Sequence, residues 1–185
     1  EILTIGEGPV ATLMDAAAQA RFKEMRKPLD ALTPVTEAML RNPSPNDWLM
    51  WRGNYQGWGY SALDQINRDN VKNLTVAWTW AMNSTGMTEF TPLVHDGIMF
   101  VWNYGELIQA LDARNGNLLW RFRQTIPADY SRDIFYRTKR SLAIGGNKLI
   151  VPTTDMHLIA LAIKTGEGVW DAVTDAFQKS KRVYN

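Results

Sequence analysis

The sequence predicts an all-β chain of repeated four-stranded sheets, preceded by a short helical arm. Three observations predict it. The segment A-L-D-A-R-N-G-N-L-L-W (Ala110–Trp120) returns without a gap as A-L-A-I-K-T-G-E-G-V-W (Ala160–Trp170), so that Ala110, Leu111, Gly116 and Trp120 align with Ala160, Leu161, Gly166 and Trp170. The lead-in repeats at the same spacing, Leu93-Val94 with Ala143-Ile144 and Phe100-Val101 with Ile150-Val151. The chain also carries 8 tryptophans, an excess that strand-rich repeats ending in tryptophan explain. Apolar runs, a turn and a tryptophan at a fixed period mark stacked supersecondary units.

Taken in order, residues 8–26 are alanine-rich, and Leu13, Ala16, Ala17, Ala20 and Met25 fall near one helical stripe. This predicts a helix over 10–25, ended by Lys27-Pro28. A second, short helix is expected over 33–40, with Thr33 as N-cap and Pro34 at the first helical position. Asn42-Pro43-Ser44-Pro45-Asn46 reads as a linker. The division is therefore an arm and linker over 1–46, then sheet units over 47–185. The arm is expected to pack against the sheets rather than carry chemistry.

Residues 47–63 are rich in aromatics (Trp48, Trp51, Tyr55, Trp58, Tyr60) and in glycine. These rings are expected to pack an irregular segment onto a sheet edge, with a ligand-stacking platform as the alternative. Residues 74–82 read as the first strand, with Trp78 and Trp80 on one face, and 83–86 as a turn. Residues 91–120 supply one sheet unit. Within it 108–113 alternates so as to present two distinct faces, and Asn115-Gly116 is expected to supply the positive φ of a hairpin turn. Residues 129–140 form the longest gap between strand signals, 142–170 supply the second unit, and 171–185 have weak periodicity.

Composition narrows the function classes. At 185 residues with 20 basic and 19 acidic side chains, the formal charge of +1 argues against a nucleic-acid or membrane-surface partner. No run reaches the roughly 18 apolar residues of a membrane span. With 0 cysteines, neither a disulfide nor a thiolate metal site can form. His95 and His157 have no partner at metal-ligand spacing and read as strand or turn histidines. The chain opens at Glu1 without methionine, which fits a trimmed chain or a mature exported one.

The pattern A-x-D-x-x-T/N-G-x-x-x-W resembles the tryptophan-docking motif of the PQQ-dependent (quinoprotein) alcohol and sugar dehydrogenases. The resemblance runs from about residue 45 to the end. It includes Asp47-Trp48, Trp51-Arg52, Gly57-Trp58-Gly59-Tyr60-Ser61, Gln65-Ile66-Asn67, Asn70-Val71, Leu74, Ala77-Trp78 and Glu89-Phe90-Thr91-Pro92-Leu93-Val94. It implies part of an eight-bladed β-propeller, export to the periplasm with the signal removed, and PQQ with a Ca²⁺ or lanthanide ion. An alcohol, polyol or sugar would be oxidised to the carbonyl, with electrons leaving to a cytochrome c or a quinone.

By the same resemblance, Glu89 matches the glutamate of the E-x-T-P segment that contacts the quinone, and Arg140 the arginine that reaches the quinone oxygens. A guanidinium there would stabilise negative charge as the quinone accepts hydride. From residue type alone, both read as solvated surface groups, and only the resemblance sets the cofactor role beside that reading. The adjacent cysteines that many members carry six and five residues before that arginine are replaced by Ile134 and Phe135, which excludes a ring disulfide. Ala162 stands where the first copy has Asp112. The catalytic base and the metal ligands of the family fall beyond Asn185, so neither catalytic nor metal-ligating residues are expected within this chain.

Two units leave faces and edges that need covering, and a closed propeller takes at least four blades. The remaining propeller polypeptide is therefore an expected partner, and 1–185 alone is not expected to be a compact stable monomer. The rival reading is a non-catalytic quinoprotein-like propeller serving as a scaffold for protein–protein interaction.

Overall fold

The computed structural model describes residues 15–82, 89–126, 140 and 142–174. Two four-stranded antiparallel sheets carry the fold. The first has the order β1 (Leu93–His95), β2 (Ile98–Asn103), β3 (Leu107–Asp112), β4 (Leu118–Arg123), and the second β5 (Ala143–Gly145), β6 (Lys148–Pro152), β7 (His157–Ala162), β8 (Gly168–Val173).

The registers repeat along with the sequence. Leu93 faces Phe100 where Ala143 faces Ile150, and Ala110 faces Trp120 where Ala160 faces Trp170. Each third strand has a bulge against its fourth at the same place, between Ala110 and Leu111 and between Ala160 and Leu161. Each return turn has its glycine at positive φ, +75° at Gly116 and +74° at Gly166. Asn115 does not share that conformation, so glycine alone supplies the left-handed step. The Asp112 carboxylate organises the first turn by accepting from the Arg114 backbone N–H, the Arg114 guanidinium and the Asn115 amide.

The seam between the sheets is built around an indole. Trp120 Nε1 donates to the Ile163 carbonyl at 2.9 Å, and a Cβ added at Gly166 would lie 2.5 Å from Trp120 Cε3. One repeat earlier, Trp78 Nε1 donates to the Ala113 carbonyl at 3.1 Å, and a Cβ at Gly116 would lie 2.7 Å from Trp78 Cε3. Trp78, Trp120 and Trp170 thus occupy equivalent places in three successive repeats, which the two-copy reading of the sequence did not include. Being covered on both sides, β3 is buried at every position. Its Gln109 is accommodated because the amide oxygen accepts from Trp80 Nε1 and Asn103 Nδ2. By contrast β8 is exposed throughout, with Trp170 39% accessible against 5% for Trp120.

Several sequence expectations are corrected. Residues 74–82 form no strand. They run extended with Trp78 and Trp80 turned onto the first sheet, and no described strand lies beside them to complete a ladder. The aromatic stretch is irregular as expected, and Trp48 pairs with Val94 on the β1 edge and lies against Gly53. The other rings stay largely open, however: Trp51, Tyr55, Trp58 and Tyr60 are 43–73% exposed, with the Arg52 guanidinium 4.6 Å over the Trp51 ring.

The first helix, α1, is Ala16–Arg26, capped by Asp15, whose side chain accepts from the Ala18 N–H at 2.7 Å. The expected start at 10–14 lies outside the described residues. No residue of α1 is buried, so alanine propensity and the cap form it rather than an apolar stripe. The second helix, α2, is Glu37–Arg41, three residues later than Thr33 capping would place it, and Thr36 is its N-cap. Thr33 is engaged elsewhere, its N–H and hydroxyl both donating to Asp96 Oδ2. Val35 bridges Gly146 of the second sheet. The arm still packs against the sheets, through Leu29, Leu32 and Val35, which join one core with Leu93, Phe100, Ile108, Leu149 and Leu161.

Beyond Trp170, β8 continues to Val173, so the weakly periodic tail begins later than 171. The expected turn at 83–86, the gap at 129–139 and the segment 175–185 lie outside the described residues.

Candidate functional site

In both sheets the stretch leading into the first strand carries a charged side chain: Glu89 ahead of β1 and Arg140 ahead of β5. Folding brings the two together across the repeats. Arg140 Nε donates to Glu89 Oε2 at 3.0 Å, and the Thr91 N–H donates to the Arg140 carbonyl at 2.9 Å. The side chains are 53% and 47% exposed, so the pair faces solvent. An ion pair this open contributes little to stability, about 0–1 kcal/mol. Its consequence is positional, a carboxylate and a guanidinium from separate repeats fixed side by side. The bond uses only Nε, which leaves the two Nη groups of Arg140 outside it. Lys148, close in sequence, begins β6 at the far end of β5 and does not compete with Arg140. Lys139, Ile134 and Phe135 lie outside the described residues.

The surroundings of Glu89 are more constrained than its exposure implies. Phe90, the next residue, meets the Trp102 ring at 6.5 Å between centroids. Trp102 Nε1 donates to Glu106 Oε2 at 3.2 Å. Glu106 is 3% exposed and sits in the β2–β3 turn at φ +54°, left-handed backbone that a non-glycine residue rarely adopts. Its other oxygen, Oε1, accepts from the N–H of Thr154 (3.2 Å) and from the Thr154 hydroxyl, both in the second sheet's corresponding turn. Sequence reasoning missed Glu106, Trp102 and Thr154. The available signal was an acidic residue directly after the Tyr104-Gly105 turn, where a surface side chain is the ordinary expectation.

At the opposite end of β1 the structure revises the reading of His95. Spacing along the chain shows it no acidic neighbours at metal-ligand intervals, yet the ring is fully buried between Asp47 and Asp96. His95 Nε2 donates to the Thr33 carbonyl at 2.9 Å, and Nδ1 faces Asp47 Oδ2 at 3.5 Å. Among the described residues these three form the one group able to offer a cation several ligand atoms, all within 4.8 Å. Two of their oxygens are already engaged: Asp47 Oδ1 accepts from the Asp96 N–H, and Asp96 Oδ2 accepts twice from Thr33. Burial pushes the Asp96 carboxyl up, but the Thr33 hydrogen bonds and the adjacent His95 outweigh it and hold the group below the usual carboxylate range. The cluster fastens the arm to the first sheet. His157 also has acidic company, with Nδ1 2.6 Å from Asp171 Oδ1 on β8. An open cleft of about 400 Å³ between α1 and the β3–β4 turn includes neither Glu89 nor Arg140.

Residues 48–175 match the family model described as the glucose/ethanol/alcohol dehydrogenase β-propeller domain, PQQ type. The chain is 34% identical over 161 residues to the dehydrogenase subunit of an alcohol dehydrogenase (quinone) from Gluconacetobacter polyoxogenes, covering 86% of this chain and 22% of that relative. Among solved structures, the quinohemoprotein alcohol dehydrogenase of Comamonas testosteroni superposes with a TM-score of 0.67 at 31% identity, covering 84% of this chain and 23% of that one. A europium-containing methanol dehydrogenase superposes with a TM-score of 0.69 at 28% identity, covering 77% and 25%. The chain therefore spans about a quarter or less of the length of these proteins. Two sheets repeating strand for strand, each lead-in placing a charged group at one shared rim, and a family match over most of the chain together assign it to the β-propeller domain of the PQQ-dependent glucose/ethanol/alcohol dehydrogenases.

Proposed function

We propose that this chain is the N-terminal portion of a periplasmic PQQ-dependent dehydrogenase that oxidises an alcohol, with polyols and sugars as further candidate substrates. Residues 1–46 are its arm. Residues 47–185 contribute the first blades of an eight-bladed propeller closed by tryptophan docking. The observation that carries the reading is the Glu89–Arg140 pair, joined across two repeats and open to solvent.

The residues fit the cofactor chemically. PQQ is a planar, polyanionic ortho-quinone. A guanidinium with Nη groups to spare suits its oxygens, and a carboxylate alongside can accept from its ring N–H. When bound, the quinone supplies the two-electron acceptor for the alcohol hydride. Arg140 would orient the quinone oxygens and offset the negative charge that develops there. Glu89 would hold the guanidinium in place and help bind the cofactor beside it.

The Ca²⁺ or lanthanide ion and the catalytic base would be held by polypeptide beyond this chain. Electrons would leave to a quinone or a cytochrome c. The name of the Gluconacetobacter relative carries the quinone option.

The test is reconstitution of the full-length protein, purified without cofactor, with PQQ and Ca²⁺ or La³⁺. Dye reduction is then followed with ethanol, butanol, glycerol and glucose. Uptake of PQQ with turnover of at least one alcohol is expected. Failure to take up PQQ with either ion would favour a propeller scaffold instead.

A further inference from the structure

We infer that the buried carboxylate of Glu106 is a positioning residue for the proposed PQQ site, setting the relation between Glu89 in the first repeat and Arg140 in the second. The inference rests on the reading that Glu89 and Arg140 hold PQQ. Glu106 does not itself reach that pair. Its two oxygens divide between the repeats: Oε2 takes the Trp102 indole N–H of the first sheet, and Oε1 takes the N–H and hydroxyl of Thr154 in the second.

On the first side the link is short. Trp102 lies against Phe90, and Phe90 adjoins Glu89. On the second side, Thr154 lies in the turn joining β6 and β7, and β6 pairs with β5, the strand that Arg140 leads into. One carboxylate thus fastens both lead-ins at a fixed separation.

The burial and pairing of Glu106 make an incidental contact a poor account of it. The side chain is 3% exposed and is engaged at both oxygens, one of them in each repeat. The equivalent place in the second repeat is Met156, also at positive φ (+68°), which offers no carboxylate. The device therefore belongs to the one seam that Glu89 and Arg140 straddle.

Glu106→Gln keeps the shape but puts an amide N–H where an acceptor stood, setting donor against donor at either Trp102 or Thr154. The experiment is PQQ titration of the full-length apoprotein in excess Ca²⁺, read by quenching of tryptophan fluorescence, for wild type, Glu89→Gln, Glu106→Gln and the double variant. Trp102→Phe serves as a second single variant, keeping a ring on Phe90 while removing the N–H.

Expected are a rise in the PQQ dissociation constant of about tenfold for Glu106→Gln, a similar rise for Trp102→Phe, and a double variant no weaker than Glu89→Gln alone. Additive losses in the double variant, or wild-type affinity in both Glu106→Gln and Trp102→Phe, would overturn the positioning role while leaving the PQQ reading standing. Wild-type affinity in Glu89→Gln would instead remove the PQQ reading on which the inference rests. Should Glu106→Gln fail to fold, Trp102→Phe and its double variant with Glu89→Gln decide the same question.

Discussion

Gly166→Ala separates the two demands placed on that glycine. The residue has φ +74°, where an added Cβ costs about 1–2 kcal/mol from backbone crowding alone. The Cβ would also sit 2.5 Å from Trp120 Cε3, closer than such atoms approach, so the indole or the turn must move. Trp120 has little room to retreat: it is 5% exposed, lies 5.9 Å from the Phe100 ring, and is tied through Nε1 to Ile163. Overpacking of this kind adds about 1–3 kcal/mol.

Gly97→Ala is the control, with a matching φ of +76° and nothing within 4 Å of its Cβ. The two variants should therefore differ by the overpacking part. That corresponds to roughly 5- to 150-fold in local opening at about 1.4 kcal/mol per decade. Hydrogen exchange of the full-length protein reads it directly, with amide protection in β7 and β8 for Gly166→Ala and in β1 and β2 for Gly97→Ala. Adding Trp120→Ala should cut the Gly166→Ala penalty to its conformational part, because the clashing ring is gone. Equal loss of protection in the two single variants, or a Gly166 penalty untouched by Trp120→Ala, would refute the seating of the indole on this turn.

The same seam predicts that in the full-length protein Trp120→Ala lowers the local stability of β3 and β7 by about 3–5 kcal/mol, read by hydrogen exchange; unchanged protection there would contradict the burial of the indole. Trp170→Ala, on a strand exposed throughout in 1–185, should cost as much only if a further sheet stacks on β8. Arg140→Ala should lower alcohol turnover at least 100-fold and leave the circular dichroism spectrum unchanged; unaltered turnover argues against its role. Asp96 supplies the pH dependence. Its folded value is depressed below the roughly 3.9 of a free aspartate, so its contribution to holding the arm is complete above about pH 4 and fades as pH falls through the folded value. The protection factor of the Val35 amide, bonded to Gly146, should therefore fall on acidification once the intrinsic pH dependence of exchange is divided out, and Asp96→Asn should be less protected at neutral pH with a flatter acid dependence; an identical acid response in the variant would count against Asp96.

The repeat was legible because its physics is local and periodic. Strand alternation, a glycine that alone tolerates the turn, and a ring in constant register with that glycine each leave a mark at a fixed distance along the chain. Trp78 escaped as the first member of the series because the residues before it, Asn73-Leu74-Thr75-Val76-Ala77, lack the turn glycine that precedes Trp120 and Trp170, leaving only its seat on Gly116 to reveal it. The second helix was misplaced because Thr33 satisfies the local rule for an N-cap, yet a partner 63 residues away takes both its donors. Long-range pairing of that kind has no local signature. The same limit hid the acidic neighbours of His95, one adjacent in sequence but pointing across a turn, the other at the head of the aromatic segment.

Glu89 and Arg140 could be nominated only through resemblance, since a lone glutamate and a lone arginine carry no pattern. Stacking makes them a pair. When successive sheets present equivalent edges to one rim, the residues just before each first strand become spatial neighbours although 50 or so positions separate them, as the 3.0 Å bond between positions 89 and 140 illustrates. A site made this way inherits its accuracy from the seam and not from either loop. Any displacement of one sheet against the next changes the distance between the two charged groups directly. For that reason, on the proposal that Glu89 and Arg140 hold the cofactor, the buried contacts crossing the seam, the Trp120 indole on Gly166 and the Glu106 carboxylate on Thr154, would bear on binding at the rim as much as the exposed groups themselves.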